Sequence, residues 1–166
     1  MEFTRATARA MHEDHMAALA LLGRVEQFLA QNAGETPPDS AQPDIRMLLG
    51  DLKAAVNSEI TSHFAFEEDA LFPIMTEAGA DDMSRILKDD HAVLLPLGMR
   101  LAELAGAAVQ AGFTADSWAE FRRASGEFID GLRGHIDKEE MGLVPALEEV
   151  LDEDQDDELI RAYKFD

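Results

Sequence analysis

Cysteine is missing altogether. That excludes disulfides, iron–sulfur clusters and thiolate metal sites, so any metal must be held by histidine, carboxylate and water. The same absence fits a reducing compartment. Positive charge is scarce too: 14 Lys and Arg face 34 Asp and Glu, a net charge of −20. A chain this acidic is repelled by nucleic acid and by anionic membrane surfaces, and both are set aside as partners. β-Branched residues are few and no segment alternates with period two, so a sheet is not expected. No apolar run of transmembrane length stands out, and Met1-Glu2-Phe3-Thr4 leads into mixed charged sequence rather than a signal peptide. The expectation is a soluble, cytoplasmic protein.

What remains is helix-forming. Hydrophobic residues make up 46% of 166 residues, enough for one domain with a core that needs no staples. Apolar steps of three and four run through Ala8, Met11, Ala18, Leu22, Val25 and Leu29, predicting a first helix over about Thr4 to Asn32. Residues Gly34 to Ser40 read as a loop, and Pro43 opens a second helix with seam residues Val56, Ile60, Ala70 and Ile74, ending near Gly79. Asp81 is expected to cap a third helix with seam residues Leu87, Leu94, Leu101, Ala105 and Ala108, ended by Gly112 and kinked or locally broken at Pro96. Thr114 caps a fourth, with Phe121, Phe128, Leu132 and Ala146 inward. Four long helices on mostly short connections predict an all-α, antiparallel up-down-up-down four-helix bundle over residues 1–151. Residues 152–166 are expected to be an acidic C-terminal extension. Its acidic run, Asp152 to Glu158, reads as a solvated connector before one short helix around Leu159 to Tyr163.

The chain also repeats itself. SHFAFEEDALFP, from Ser62 to Pro73, returns as GHIDKEEMGLVP from Gly134 to Pro145, and Asp14-His15 returns as Asp90-His91. Of five histidines, His15, His63, His91 and His135 fall on the apolar seams. His63 and Glu67 are four apart, as are His135 and Glu139, so each pair shares one helix face about 6 Å apart. Counted from the expected helix ends, His15, Glu67, His91 and Glu139 lie at one depth, about 16 Å from one end at about 1.5 Å per residue. Four imidazoles and two carboxylates therefore converge on one slice of the core. Buried carboxylates without compensation cost several kcal/mol each, and buried imidazoles need partners. A pair of divalent cations supplies both needs, with the carboxylates able to bridge. Imidazole and carboxylate suit iron, manganese and zinc, and six ligands with open positions favour iron over structural zinc.

The joint pattern of Asp14-His15, His63-x-x-x-Glu67-Glu68, Asp90-His91 and His135-x-x-x-Glu139-Glu140 resembles the hemerythrin-like, or HHE cation-binding, family over roughly residues 4 to 150. The resemblance implies an antiparallel four-helix bundle around two non-haem iron ions, oxo- or hydroxo-bridged. Its implied ligands are His15, His63, Glu67, His91, His135 and Glu139, with Glu67 and Glu139 bridging; zinc or manganese are substitutes. The chain departs from the oxygen carriers, which have a second histidine where Leu95 stands and a closing His–Asp pair five apart. It also lacks the Cys-containing N-terminal region of the iron-centre repair proteins.

The function expected is a di-iron protein that binds dioxygen or nitric oxide, or handles iron, in sensing or stress response. Two alternatives stay open: a di-iron enzyme of peroxidase, oxidase or repair type, and a metal-switched interaction module. Which small ligand, whether a substrate is turned over, and which protein partner it has are left open. The remaining candidates read more plainly. His12 is off the seam and reads as a rim residue. Glu68 and Glu140 read as outer-sphere or solvated, Phe64, Phe66 and Phe72 as packing around the centre, Pro73 and Pro145 as helix-shaping, and the methionines as core filler.

Overall fold

The computed structural model describes residues 3–165. Met1, Glu2 and Asp166, which the expected boundaries include, lie outside them. Among the described residues there are helices and no strand. Helix α1 is Ala6–Gln31. Helix α2 is one rod over 43–77, in which α-helical Pro43–Ala54, Thr61–Phe66 and Phe72–Glu77 are joined by π-helical Ala55–Ile60 and Glu67–Leu71. Helix α3 is Asp81–Ala111. Helix α4 spans 115–150, with a π-helical turn Glu139–Leu143 between Ala115–Lys138 and Val144–Val150. Helix α5 is Glu153–Phe165.

The boundaries follow from local chemistry. Thr114 and Ser117 form a reciprocal capping box at the start of α4. Gly79 and Gly112 take φ of 88° and 81° after α2 and α3, where a side chain would be strained. Asp81 does not cap α3: Ala80 holds that position and Asp81 is the first helical residue, its carboxylate near the positive end of the helix dipole. Pro96 leaves α3 helical throughout and interrupts only its hydrogen-bond ladder, locally, as expected. The missing N–H orphans the Ala92 carbonyl, and Ala92 and Pro96 both face solvent, where water can satisfy it.

The π-turns are the main departure from the expected periodicity. Each of two starts on the glutamate of a His-x-x-x-Glu pair and ends before a proline. The Phe72 N–H donates to the Glu67 carbonyl and the Val144 N–H to the Glu139 carbonyl, five residues back instead of four. Pro73 and Pro145 have no N–H and their rings crowd the carbonyl four residues back, so the preceding turn widens. The wider turn advances the inward seam by one residue. Leu71 and Met75 are buried in place of Ala70 and Ile74, and Leu147 in place of Ala146.

α3 packs along both α2 and α4, and α1 packs along α4, whereas α1 and α2 touch little. Polar ties pair early residues with late ones: Arg5 N–H with Glu148 at 2.9 Å, Arg133 with Glu26 at 2.8 Å, Arg24 with Asp51 at 2.9 Å and Arg100 with Glu120 at 2.7 Å. The core has two apolar compartments. One holds Leu22, Phe28, Val56, Leu101, Trp118 and Phe128; the other holds Met11, Leu71, Met75, Leu87, Leu143 and Leu147. Between them lies the histidine layer. Methionine is not uniformly core filler, since Met11 and Met75 are buried while Met16, Met47, Met99 and Met141 are exposed.

Two further expectations need correction. By length and composition α3 could cross a membrane, contrary to the reading of the sequence. In this fold it is the central packing helix, with Leu87, His91, Leu94 and Leu101 buried. The acidic run after Leu151 is not a solvated connector but the first turns of α5. Buried Asp156 accepts from the Ala6 and Thr7 N–H groups at 2.7 and 2.8 Å, filling the donor-rich start of α1.

Candidate metal centre

His15 on α1, His63 and Glu67 on α2, His91 on α3, and His135 and Glu139 on α4 are all buried, the two glutamates completely. The structure brings all six together. Their Nε2 and carboxylate atoms form two overlapping groups that share both glutamates. In one group His15 Nε2 and His63 Nε2 face each other at 3.2 Å. His63 Nε2 is 3.2 Å from one oxygen of Glu67, and His15 Nε2 is 2.9 Å from one oxygen of Glu139. In the other, His91 Nε2 and His135 Nε2 are 3.1 Å apart, with His91 3.2 Å from the second oxygen of Glu67 and His135 3.1 Å from the second oxygen of Glu139. Each glutamate thus presents one oxygen to each histidine pair.

The other ring nitrogen of every histidine faces a carboxylate on a different helix. His15 Nδ1 lies 2.6 Å from Glu140 and His91 Nδ1 2.9 Å from Glu68. His63 Nδ1 lies 3.2 Å from Asp14 and His135 Nδ1 3.2 Å from Asp90. An ionised carboxylate only accepts, so each Nδ1 carries the proton and donates. For Asp14, Asp90 and Glu140, burial acts to raise the pKa, but hydrogen bonds from their histidine, lysine or tyrosine neighbours outweigh it and keep the value low. With Nδ1 protonated, the neutral imidazole turns its Nε2 lone pair to the centre, the arrangement that fixes a metal-binding tautomer.

Whether these residues suit a metal can be judged from the centre itself. All four oxygens of Glu67 and Glu139 are buried without a hydrogen-bond partner, despite the close nitrogens. Two facing Nε2 atoms cannot both carry protons at 3.1 to 3.2 Å. Unsatisfied carboxylates and inward lone pairs fit cations and fit little else. Without a metal, protons are the substitute. Burial acts to lower the His63 pKa, but the nearby charge of Glu67, the hydrogen bond to Asp14 and the charge of Glu139 push it up to about 10. Glu139 is driven well below the carboxylate range, its burial outweighed by His135 and His15.

Phe64 stacks on His91 with ring centroids 3.8 Å apart and Phe72 lies 5.6 Å from it, so two aromatic rings cover His91. A cavity of about 540 Å³, which Phe64 also lines, reaches the other three histidines. It runs where α1 and α2 splay apart, between Leu21, Leu52, Ile60 and Phe128, from exposed Ser58, Glu59 and Ser62 down to His15, His63, His135 and Glu139.

His12 sits on the rim, about a third exposed, and holds Glu140 at 2.8 Å without joining the centre. Glu68 and Glu140 lie outside the inner cluster and orient His91 and His15. Sequence reasoning missed the matching work of Asp14 and Asp90, although each precedes a seam histidine in both repeats. It also missed Tyr163, whose hydroxyl donates to Asp14 from α5; no periodicity signals it.

Comparison with known proteins agrees with this geometry. Residues 6–147 match the family model described as the hemerythrin HHE cation binding domain. No curated protein and no solved structure matches the chain. The chain belongs to the hemerythrin HHE cation-binding family.

Proposed function

We propose, with that family membership as the premise, that the chain is a non-haem di-iron protein which binds dioxygen or nitric oxide in the cytoplasm, in a sensing or stress-response role. The observation that carries the reading is the set of four buried, partnerless carboxylate oxygens facing four inward Nε2 atoms. His15 and His63 would hold one ion and His91 and His135 the other, with Glu67 and Glu139 bridging the pair. The opposed order of the interhelical ties supports an up-down-up-down antiparallel bundle formed by α1 to α4, to which α5 is appended. Two iron ions supply reversible redox chemistry and open positions for a small ligand. The protein's own residues hold the imidazoles in one tautomer, cover His91 with Phe64 and Phe72, and leave a largely apolar approach to His15, His63 and His135.

The test is anaerobic reconstitution with ferrous iron, followed by air or nitric oxide. Two irons per chain and new near-ultraviolet and visible absorption are expected. A loaded sample whose spectrum neither gas changes would contradict the ligand-binding reading.

One observation favours an enzyme as the second reading. A cavity of about 540 Å³ far exceeds a diatomic ligand, since one water takes only about 30 Å³ of liquid. Turnover of peroxide by the iron-loaded protein, lost in Glu67→Ala, would select it.

A further inference from the structure

The two halves of the centre are related by the internal repeat, and the relation fails in a consistent way. His12 occupies the repeat position of Lys88, and Phe66 that of Lys138. Around His91 and His135, each outer carboxylate carries a lysine. Lys88 Nζ lies 3.7 Å from Glu68, and Lys138 Nζ donates to Asp90 at 2.6 Å. Around His15 and His63 the same places are filled by groups that donate without needing a full positive charge. His12 Nδ1 lies 2.8 Å from Glu140, and the Tyr163 hydroxyl donates to Asp14. Tyr163 reaches that place because α5 lays its ring against Phe66, centroids 4.5 Å apart. Among the described side chains, no lysine or arginine pairs with Asp14 or Glu140.

This difference bears directly on cation binding. An imidazole that donates to a fully charged carboxylate is a stronger ligand, because charge on the outer partner is passed through the ring to Nε2. A lysine on that carboxylate draws the charge away and adds a like charge near the cation. We propose that the two cation positions are unequal, and that the position between His15 and His63 binds a divalent cation more tightly than the position between His91 and His135. Lys88, Lys138 and Tyr163 are then positioning and selectivity residues that touch no metal. The inference rests on the ligand assignment proposed above.

The experiment uses cobalt(II) as probe. The full chain, freed of metal, is crystallised with one equivalent of cobalt, and occupancy at each position is read from anomalous scattering. Site-resolved occupancy is needed because repulsion between neighbouring cations weakens the second binding step in any pair. The expected result is cobalt concentrated between His15 and His63. In the double variant Lys88→Gln/Lys138→Gln, affinity between His91 and His135 rises by about tenfold, the low end of outer-partner effects, and the occupancies move toward equality. Both lysines are about half exposed or more, so the fold tolerates the change. Equal occupancies in the natural protein, or an unchanged distribution in the double variant, would overturn the proposal. Cobalt at neither position with two equivalents present would instead overturn the ligand assignment itself.

Discussion

At the scale of single residues, the centre depends on carboxylates that never enter it. Asp14, Glu68, Asp90 and Glu140 each fix one imidazole by accepting from Nδ1. Replacing any one by its amide keeps the shape but weakens the acceptor and relaxes the tautomer. Each of Asp14→Asn, Glu68→Gln, Asp90→Asn and Glu140→Gln should lower metal affinity about 10- to 100-fold. A competitive titration against a chelator measures this, and unchanged affinity in all four would show that the outer carboxylates are incidental. His12→Ala removes only a partner of Glu140, which still holds His15, so two ions per chain should remain. The outer layer was half legible in the sequence. Glu68 and Glu140 follow the seam glutamates and could be placed by rotation. Asp14 and Asp90 carried no such positional cue to an outer role, and the partners of all four lie on other helices, where a one-dimensional period does not report the contact.

At the scale of elements, two features deserve weight. The π-turns at Glu67 and Glu139 show why helical periodicity placed the His-x-x-x-Glu pairs on the buried face but misjudged the residues after them. The steps through His63 to Glu67 and His135 to Glu139 are ordinary α-helical spacing, and the extra residue enters only beyond them. Proline was visible in the sequence, but its outcome was not: π-turns precede Pro73 and Pro145, whereas Pro96 sits within continuous α-helix, and the residue four before each of the three is exposed. The second feature is α5. Asp156 satisfies two backbone donors at the start of α1, so Asp156→Ala should cost about 1 kcal/mol, and at most about 2, of unfolding free energy at pH 7. The pH dependence has a definite sign. Burial acts to raise the Asp156 pKa, but hydrogen bonds from Thr7 and Ala6, with Arg5 nearby, lower it below the ordinary 3.8. The stabilisation is therefore fully present above pH 3.8 and is lost as the pH falls through the lower folded value. Urea denaturation of both proteins at pH 7 and in stronger acid should show the gap closing on the acid side. A gap independent of pH would assign the effect to packing.

For the whole molecule, the histidine layer divides the core into two apolar compartments and leaves a buried charged slab between them. Such a slab is costly without cations, so metal binding and folding stability must be linked. Saturating the metal-free protein with a divalent cation at about 100 times its dissociation constant should add about 2.7 kcal/mol per site and raise the melting temperature, and a chelator should reverse it. Glu139→Ala should abolish most of that increment, while Asp156→Ala should leave it intact. The division into compartments also explains how much could be read in advance. Apolar seams and the His-x-x-x-Glu repeats lie within single helices and announce themselves by spacing. The cleft between α1 and α2, the reach of Tyr163 and the packing of α5 are made by tertiary placement.

The most direct test is metal analysis of the full chain produced in iron-replete cells and purified without air. Two ions per chain are expected, falling below one in a double variant lacking Glu67 and Glu139. A natural protein that folds as described yet holds no ion under those conditions, or keeps both when the two glutamates are gone, would contradict the assignment of a paired cation centre.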